Sequence, residues 1–247
     1  MRSSVPQPAT DHATSTARII VIDRSTAGDR GDMVVLFDWV VGQVLDTLDR
    51  LDIADNTLII VTSDNGARAV CADGHDYGHA ANGALRGQKA DIWDGGHREP
   101  FVARWPQHIP AGSTSDELAC LADMLATFAA ITGADLPSNA GEDSYNLLPA
   151  LVNESNREPI REALVHHSSH GVYSIRQGRW KLVLGLGSGG FSEPVSIEPT
   201  PGGPLGQLYD MEADLTETHN LWDERPEIVI ELAALLEQYR QDGRSRA

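Results

Sequence analysis

The chain has 247 residues, 19 Lys and Arg against 36 Asp and Glu, and a formal net charge of −17. A hydrophobic share of 41% with 22% charged residues suits a packed core rather than a disordered chain. The acidic balance argues against a nucleic-acid partner, which needs clustered Lys and Arg for phosphate contacts, and no apolar run approaches the roughly 20 residues of a membrane-spanning helix.

The length allows one large domain, or one and a half at about 150 residues each. Residues 1–30 are rich in Ser, Thr, Ala and Asp and read as an irregular lead-in with one apolar run, Ile19 to Ile22. Met1 to Thr10 lacks the apolar centre of a secretory signal, so no export signal is expected in this chain and its localisation is left unassigned. From Gly31, Val34, Phe37, Val41, Val44, Leu45, Leu48 and Leu51 recur at spacings of three and four. That period predicts a helix of about 20 residues with one buried face. Ala54-Asp55-Asn56 breaks it, and the continuous run Thr57 to Thr62 suits a strand buried on both faces. Helix, turn and buried strand suggest the α/β alternation of a mostly parallel sheet.

Residues 67–100 are glycine-rich and polar, a long loop of the kind that is often functional. Pro100 to Pro106 reads as a short strand. Thr114 and Glu117 form a capping-box pattern ahead of a helix carrying Leu118, Leu121, Leu125, Phe128 and Ile131, with Gly133 as its stop. After Val152 the runs Glu162–His166, Val172–Arg176 and Trp180–Leu184 are strand-like, with Gln177-Gly178 as a hairpin turn. Residues 185–206 read as surface loop and Gln207–Met211 as one more strand. The last helix starts at Pro226 and puts Ile228, Leu232, Leu235, Leu236 and Tyr239 on one face. The organisation expected is a lead-in over 1–30, an α/β part over 31–155 and a small antiparallel α+β subdomain over 156–247.

Asp64 and Asn65 follow the predicted buried strand, where open α/β sheets place ligands. Their hard oxygens suit calcium or magnesium, yet the dipeptide alone fits a Ser-Asp-Asn-Gly turn better, and calcium needs six to eight oxygens. The segment Leu85 to Pro100 gathers Arg86, Lys89, His97 and Arg98 in a strongly acidic chain. It is either an anion-binding patch or a solvated loop pairing its charges with Asp91, Asp94 and Glu99. His75 and His79 fit polar lining better than a metal site, since a third ligand is missing. His166, His167 and His170 read as ordinary, partly exposed histidines. Cys71 and Cys120 are too few for a disulfide framework or a four-thiolate zinc site. Neither a Gly-x-Ser-x-Gly elbow nor a P-loop nor a Rossmann fingerprint occurs.

Three stretches together, T-L-I-I-V-T-S-D-N-G at 57–66, L-R-G-Q-K-A-D-I-W-D-G-G-H-R-E-P at 85–100 and L-Y-D-M-E-A-D-L-T-E-T-H-N-L at 208–221, resemble the sulfatase family of the alkaline-phosphatase-like superfamily, in its arylsulfatase A and N-acetylgalactosamine-6-sulfatase branch. The resemblance runs from about Gly31 to about Arg240. It implies part of an alkaline-phosphatase-like, mostly parallel sheet flanked by helices, followed by the small antiparallel subdomain. It also implies hydrolysis of sulfate esters, with a small-molecule or carbohydrate sulfate ester as partner. On this resemblance Asp64 and Asn65 match two ligands of a calcium or magnesium ion, and Lys89 matches the lysine that holds a sulfate oxygen. His75, His79, His97 and Arg98 are candidates for substrate contact.

The departures from the family pattern are equally specific. The C-x-P-S-R or S-x-P-S-R motif that yields the formylglycine nucleophile is absent, and so is the early Asp-Asp pair of the metal shell. Asp94 stands where the family more often has Glu. His12 lies where the family has a P-H-x-P histidine, without either proline. The resemblance therefore covers the C-terminal half of a sulfatase, with association expected through the edge left by the missing half. The alternatives are a non-catalytic sulfatase-like remnant or partner subunit, and a related phosphohydrolase of the same superfamily. Full-length relatives are often exported.

Overall fold

The computed structural model describes residues 24–70, 74–154 and 158–246. They belong to two compact units, one of residues 1–57 with 70–80 and one of 58–69 with 81–247. Among the described residues no helix is long and apolar enough to cross a membrane.

The first unit is dominated by helix α1, Gly28–Arg50. Ahead of it the Asp32 carboxylate accepts the N–H groups of Arg24 at 3.0 Å and Ser25 at 2.9 Å. Asp52, at φ +56°, turns the chain out of the helix into the 3-10 turn Ala54–Asn56. The expected period is present but the expected burial is not. No residue of α1 is buried, and Val34, Phe37 and Val44 are 62%, 52% and 46% exposed. Apolar periodicity marks the face that would leave water, and a neighbour must still cover it.

In the second unit, β1 (Ile59–Thr62) pairs antiparallel with β2 (Phe101–Arg104), Ile59 opposite Arg104 and Thr62 opposite Phe101. Every strand pairing among the described residues is antiparallel. With this one strand neighbour, β1 is half-buried along its length and not enclosed on both faces. Between these strands lies the one-turn helix α2, Asp94–His97.

Helix α3 covers only Met124–Thr132, after a 3-10 turn at Leu121–Asp123, so the start expected near Thr114 is wrong. Asp123 stands at the helix start without a side-chain cap to it; its buried carboxylate accepts the N–H of Cys120 at 2.8 Å and of Tyr145 at 2.9 Å and pairs with buried Arg161. Glu117 instead accepts the N–H of Ile160 at 3.2 Å. The buried residues of α3 are Ala126 and Thr127, while Leu125 and Phe128 are 50% and 46% exposed. The stop at Gly133, in the left-handed region at φ +68°, is as predicted. A further short turn, α4, spans Leu148–Leu151.

The chain ends in a four-stranded antiparallel sheet in the order β3 (Leu164–His167), β4 (Tyr173–Gln177), β5 (Trp180–Val183), β6 (Gln207–Asp210), with helix α5 (Pro226–Asp242) against it. Side chains alternate between its faces. Ile175, Leu182 and Leu208 join Val229, Leu232 and Leu236 of α5 in one core, each such apolar side chain contributing about 1.5–3 kcal/mol. Val183, Tyr209 and Met211 cluster instead with Ile92 and Trp93. The sheet thus binds α5 to one side and the segment leading into α2 to the other. The 185–206 connector is not all surface loop: Gly187, Ser188, Gly189 and Gly190 are buried.

Candidate functional site

Two of the three signature stretches are tied together by backbone. The Gly66 N–H donates to the Gly96 carbonyl at 3.0 Å, and the Gly95 N–H to the Arg86 carbonyl at 2.7 Å. Glycine is required here by approach rather than by dihedral. A Cβ on Gly66 would lie 2.0 Å from the Gly95 oxygen, and one on Gly95 would lie 2.5 Å from the Arg86 and Gly87 oxygens. The Lys89 N–H donates to the Ala67 carbonyl at 3.1 Å. Asn82 locks the pair of segments: its Oδ1 accepts from the Ala67 N–H at 2.9 Å, and its Nδ2 donates to the carbonyls of Ala67 at 2.9 Å and Gly87 at 3.1 Å. Asp64, Asn65 and Lys89 therefore sit on one knot, with Asp64 and Lys89 exposed.

Behind the knot lies a buried ionic cluster. Lys181, fully buried on β5, puts its ammonium 2.7 Å from Asp94 Oδ1 and 2.8 Å from Glu217 Oε1. Glu217 Oε2 also accepts the Asp94 N–H at 2.6 Å, satisfying an orphan donor at the start of α2. The second Asp94 oxygen takes Arg98 Nε at 3.1 Å and Nη2 at 2.9 Å, with Arg176 at 3.8 Å. Burial opposes ionisation of Asp94, but Lys181 and Arg98 outweigh it and hold this carboxyl well below the usual carboxylate range. Burial pushes the Glu217 carboxyl up, with Lys181 only partly opposing. Arg86, stacked 3.7 Å over the Trp93 ring, donates to the Glu217 carbonyl at 2.6 Å and the Tyr209 hydroxyl at 3.2 Å. The third signature stretch thus acts as a brace for the second.

His97 and Arg98 line, with Asp64, Asn65, His166 and Arg176, a cavity of about 1090 Å³. The His97 and His166 rings are 4.2 Å apart and tilted by 53°. Burial and then Lys181 lower His97 to about 4, and the same causes take His166 well below its ordinary value. Both imidazoles are neutral near pH 7, and His166, partly exposed as expected, departs from an ordinary histidine in its lowered basicity. His97 Nε2 is buried without a hydrogen-bond partner among the described residues. Arg98 is engaged by Asp94. Glu99 is pushed up by burial and by the charge of Asp64. His75 and His79 belong to the first compact unit, where the His75 ring stands 5.9 Å from Tyr77, and His12 lies outside the described residues.

Asp64 and Asn65 have the hard-oxygen chemistry that calcium or magnesium takes, but they are two donors. Among the described residues no three His, Cys, Asp or Glu side chains are grouped to hold a metal. The residues described do not complete a shell of six to eight oxygens.

The sequence pattern alone did not single out Asn82 or Lys181, and it marked Glu217 only as part of the 208–221 stretch. A signal for Lys181 exists in W-K-L-V, where period two puts the lysine on the same side as Val183. Glu217 is a fixed position of the 208–221 stretch, though its ionic role is not readable there, and Asn82 leaves no comparable trace.

Comparison with known proteins identifies the family and the fold. The Sulfatase family profile matches residues 4–134, beginning upstream of Gly31. An N-acetylgalactosamine-6-O-sulfatase of Bacteroides thetaiotaomicron is 34% identical over 229 residues, covering 88% of this chain and 43% of the relative. The Homo sapiens steryl-sulfatase is 39% identical over 155 residues, 62% of this chain and 26% of its own length. The chain thus spans less than half of each of these relatives. A solved structure described with the metabolism of multiple glycosaminoglycans by Bacteroides thetaiotaomicron superposes with a TM-score of 0.77 at 32% identity, over 90% of this chain and 46% of that one. Ps i-CgsB in complex with k-i-k-neocarrahexaose gives 0.70 at 25% identity, over 94% and 48%. The α/β architecture with its small antiparallel sheet is that of these alkaline-phosphatase-like enzymes, and the chain belongs to the sulfatase family.

Proposed function

We propose that the protein serves the hydrolysis of sulfate esters and that this chain supplies the sulfate-holding part of the site. The observation carrying this reading is the single backbone knot that joins Lys89 to Asp64 and Asn65 in a chain of the sulfatase family. Lys89 offers a compact point charge that neutralises a sulfuryl oxygen as negative charge builds on it. Backbone contacts hold the main chain of Lys89, so that only its side-chain torsions remain to be ordered when a sulfate is bound. Asp64 and Asn65 would give two oxygens to a calcium or magnesium ion whose other ligands the described residues do not provide.

The nucleophile is the weak point of the chain. The 247 residues contain no C-x-P-S-R, and burial, then Asp123, pushes the Cys120 thiol up, away from a reactive thiolate. This favours a second reading, a non-catalytic partner or remnant. The exposed apolar residues of α1 and the exposed Phe101 and Val102 of β2 support association with a further polypeptide.

The test uses methyl sulfate as probe, observed by saturation-transfer NMR on the purified chain. Lys89→Ala is expected to weaken binding about 10- to 100-fold, the loss of one charge-assisted contact, while release of sulfate from 4-nitrophenyl sulfate stays negligible. Unchanged methyl sulfate binding in Lys89→Ala refutes the sulfate-holding role. Robust turnover by the wild-type chain refutes the assignment of the nucleophile elsewhere.

A further inference from the structure

The segment next to Lys89 packs against one that carries an exposed aromatic side chain, Phe191. Phe191 is 49% exposed, yet its backbone is firmly held. The fully buried Asp91 carboxylate accepts the N–H groups of Phe191 at 2.7 Å and Ser192 at 3.0 Å, the Ser192 hydroxyl, and the N–H of Gln88 at 2.9 Å. Gly190 lies directly on Ala90: a Cβ there would come 2.4 Å from the Ala90 carbonyl carbon. The Ala90 carbonyl in turn accepts the Ser169 N–H at 2.9 Å. The Arg68 guanidinium carbon is 5.1 Å from the centroid of the Phe191 ring, and Arg68 adjoins Ala67, whose carbonyl receives the Lys89 N–H. Three segments thus run side by side, and they place Phe191, Arg68 and Lys89 within a residue or two of mutual backbone contact.

A single exposed aromatic needs no explanation by itself. What distinguishes Phe191 is that a buried carboxylate fixes its backbone, with Arg68 at its ring and the backbone of Lys89 one residue from the Gly190–Ala90 contact, on a chain whose net charge is −17. An aromatic face takes the C–H face of a ring, and Lys89 takes negative charge. The neighbours Gln88, Ser169 and Ser192 are hydroxyl-compatible rather than apolar, whereas a sterol would require an apolar pocket. We infer that Phe191, with Arg68 beside it, is the platform on which the sugar ring of a sulfated saccharide stacks while Lys89 takes the sulfate. This inference rests on the sulfate-holding role of Lys89 and adds the class of alcohol that carries the ester.

The test is saturation-transfer NMR on the full 247-residue chain with N-acetylgalactosamine 6-sulfate, N-acetylgalactosamine, dehydroepiandrosterone sulfate and methyl sulfate. Wild type is expected to saturate the sugar ring protons of both saccharides. Phe191→Ala and Phe191→Leu should reduce that transfer about three- to tenfold, and Phe191→Trp should keep it. Lys89→Ala should remove the advantage of the sulfated sugar and the methyl sulfate signal. Ring-proton transfer that is absent in wild type, or unchanged in Phe191→Ala, overturns the platform. So does transfer confined to the steroid sulfate. A Lys89-dependent methyl sulfate signal beside any of these results leaves the sulfate role standing, and a Phe191-dependent sugar signal without Lys89 dependence refutes only that role.

Discussion

Lys181→Met is the most informative single change, because one ammonium serves two buried carboxyls. Methionine keeps most of the volume and leaves Asp94 to Arg98 and Arg176, but strips Glu217 of its only ion-pair partner among the described residues. Breaking a buried pair from one side costs about 3–5 kcal/mol. At about 2–4 °C per kcal/mol for a unit of this size, the melting temperature should fall by about 6–20 °C. The pH dependence identifies the cause. Glu217 is already raised in the intact cluster by burial, with Asp94 adding and Lys181 opposing, so removing Lys181 raises it further. A carboxyl raised in the folded state contributes its stability when protonated and loses it as pH rises. The deficit of the variant should therefore be small near pH 5 and grow toward pH 8. The double variant Lys181→Met, Glu217→Gln should recover about half of the loss, since glutamine still accepts the Asp94 N–H without a charge. Urea unfolding followed by circular dichroism at pH 5 and pH 8 measures all three proteins. A deficit under about 1 kcal/mol at pH 8, or one that is equal at both pH values, would refute the argument.

Acid should weaken the fold through the histidine pair. His97, lowered to about 4, and His166, also lowered by burial, are neutral in the fold, while unfolded histidines bind protons below about 6.5. Stability is full above that value and declines as pH falls through the window from about 6.5 to about 4, by about 1 kcal/mol at pH 5 for half-buried His97 after allowance for solvent. His97→Gln should flatten this decline in urea midpoints between pH 7 and pH 5, and Asp94, ionised throughout that window, should contribute nothing to it. Gly95→Ala places a Cβ 2.5 Å from two backbone oxygens. It should cost about 3 kcal/mol or more, shift the Lys89 amide resonance and abolish methyl sulfate binding, with a wild-type spectrum as the contrary result.

The local and the distant parts of this site were unequally legible in the sequence. Asp64, Asn65 and Lys89 stand in short stretches whose residue types and spacing carry the resemblance by themselves, and the four C-terminal strands and α5 follow from periods of two and 3.6. The brace behind them does not, because it joins residues 87 and 123 positions apart, Lys181 with Asp94 and Glu217 with Asp94. Sheet register decides which residues of β5 face inward, and that register depends on β4 and β6. The same reasoning explains α3. The Thr114-Glu117 pattern is a valid local cap, but the helix begins where Asp123 can meet Arg161, 38 residues away and buried. A local signal gave way to a buried charge that had to be paired. In α1 nothing overrode the signal, and the helix formed as its period required, yet its apolar face stays exposed. Periodicity is a property of the helix, whereas burial is a property of its neighbours. That difference is why the exposed face of α1 does not mark a misread helix.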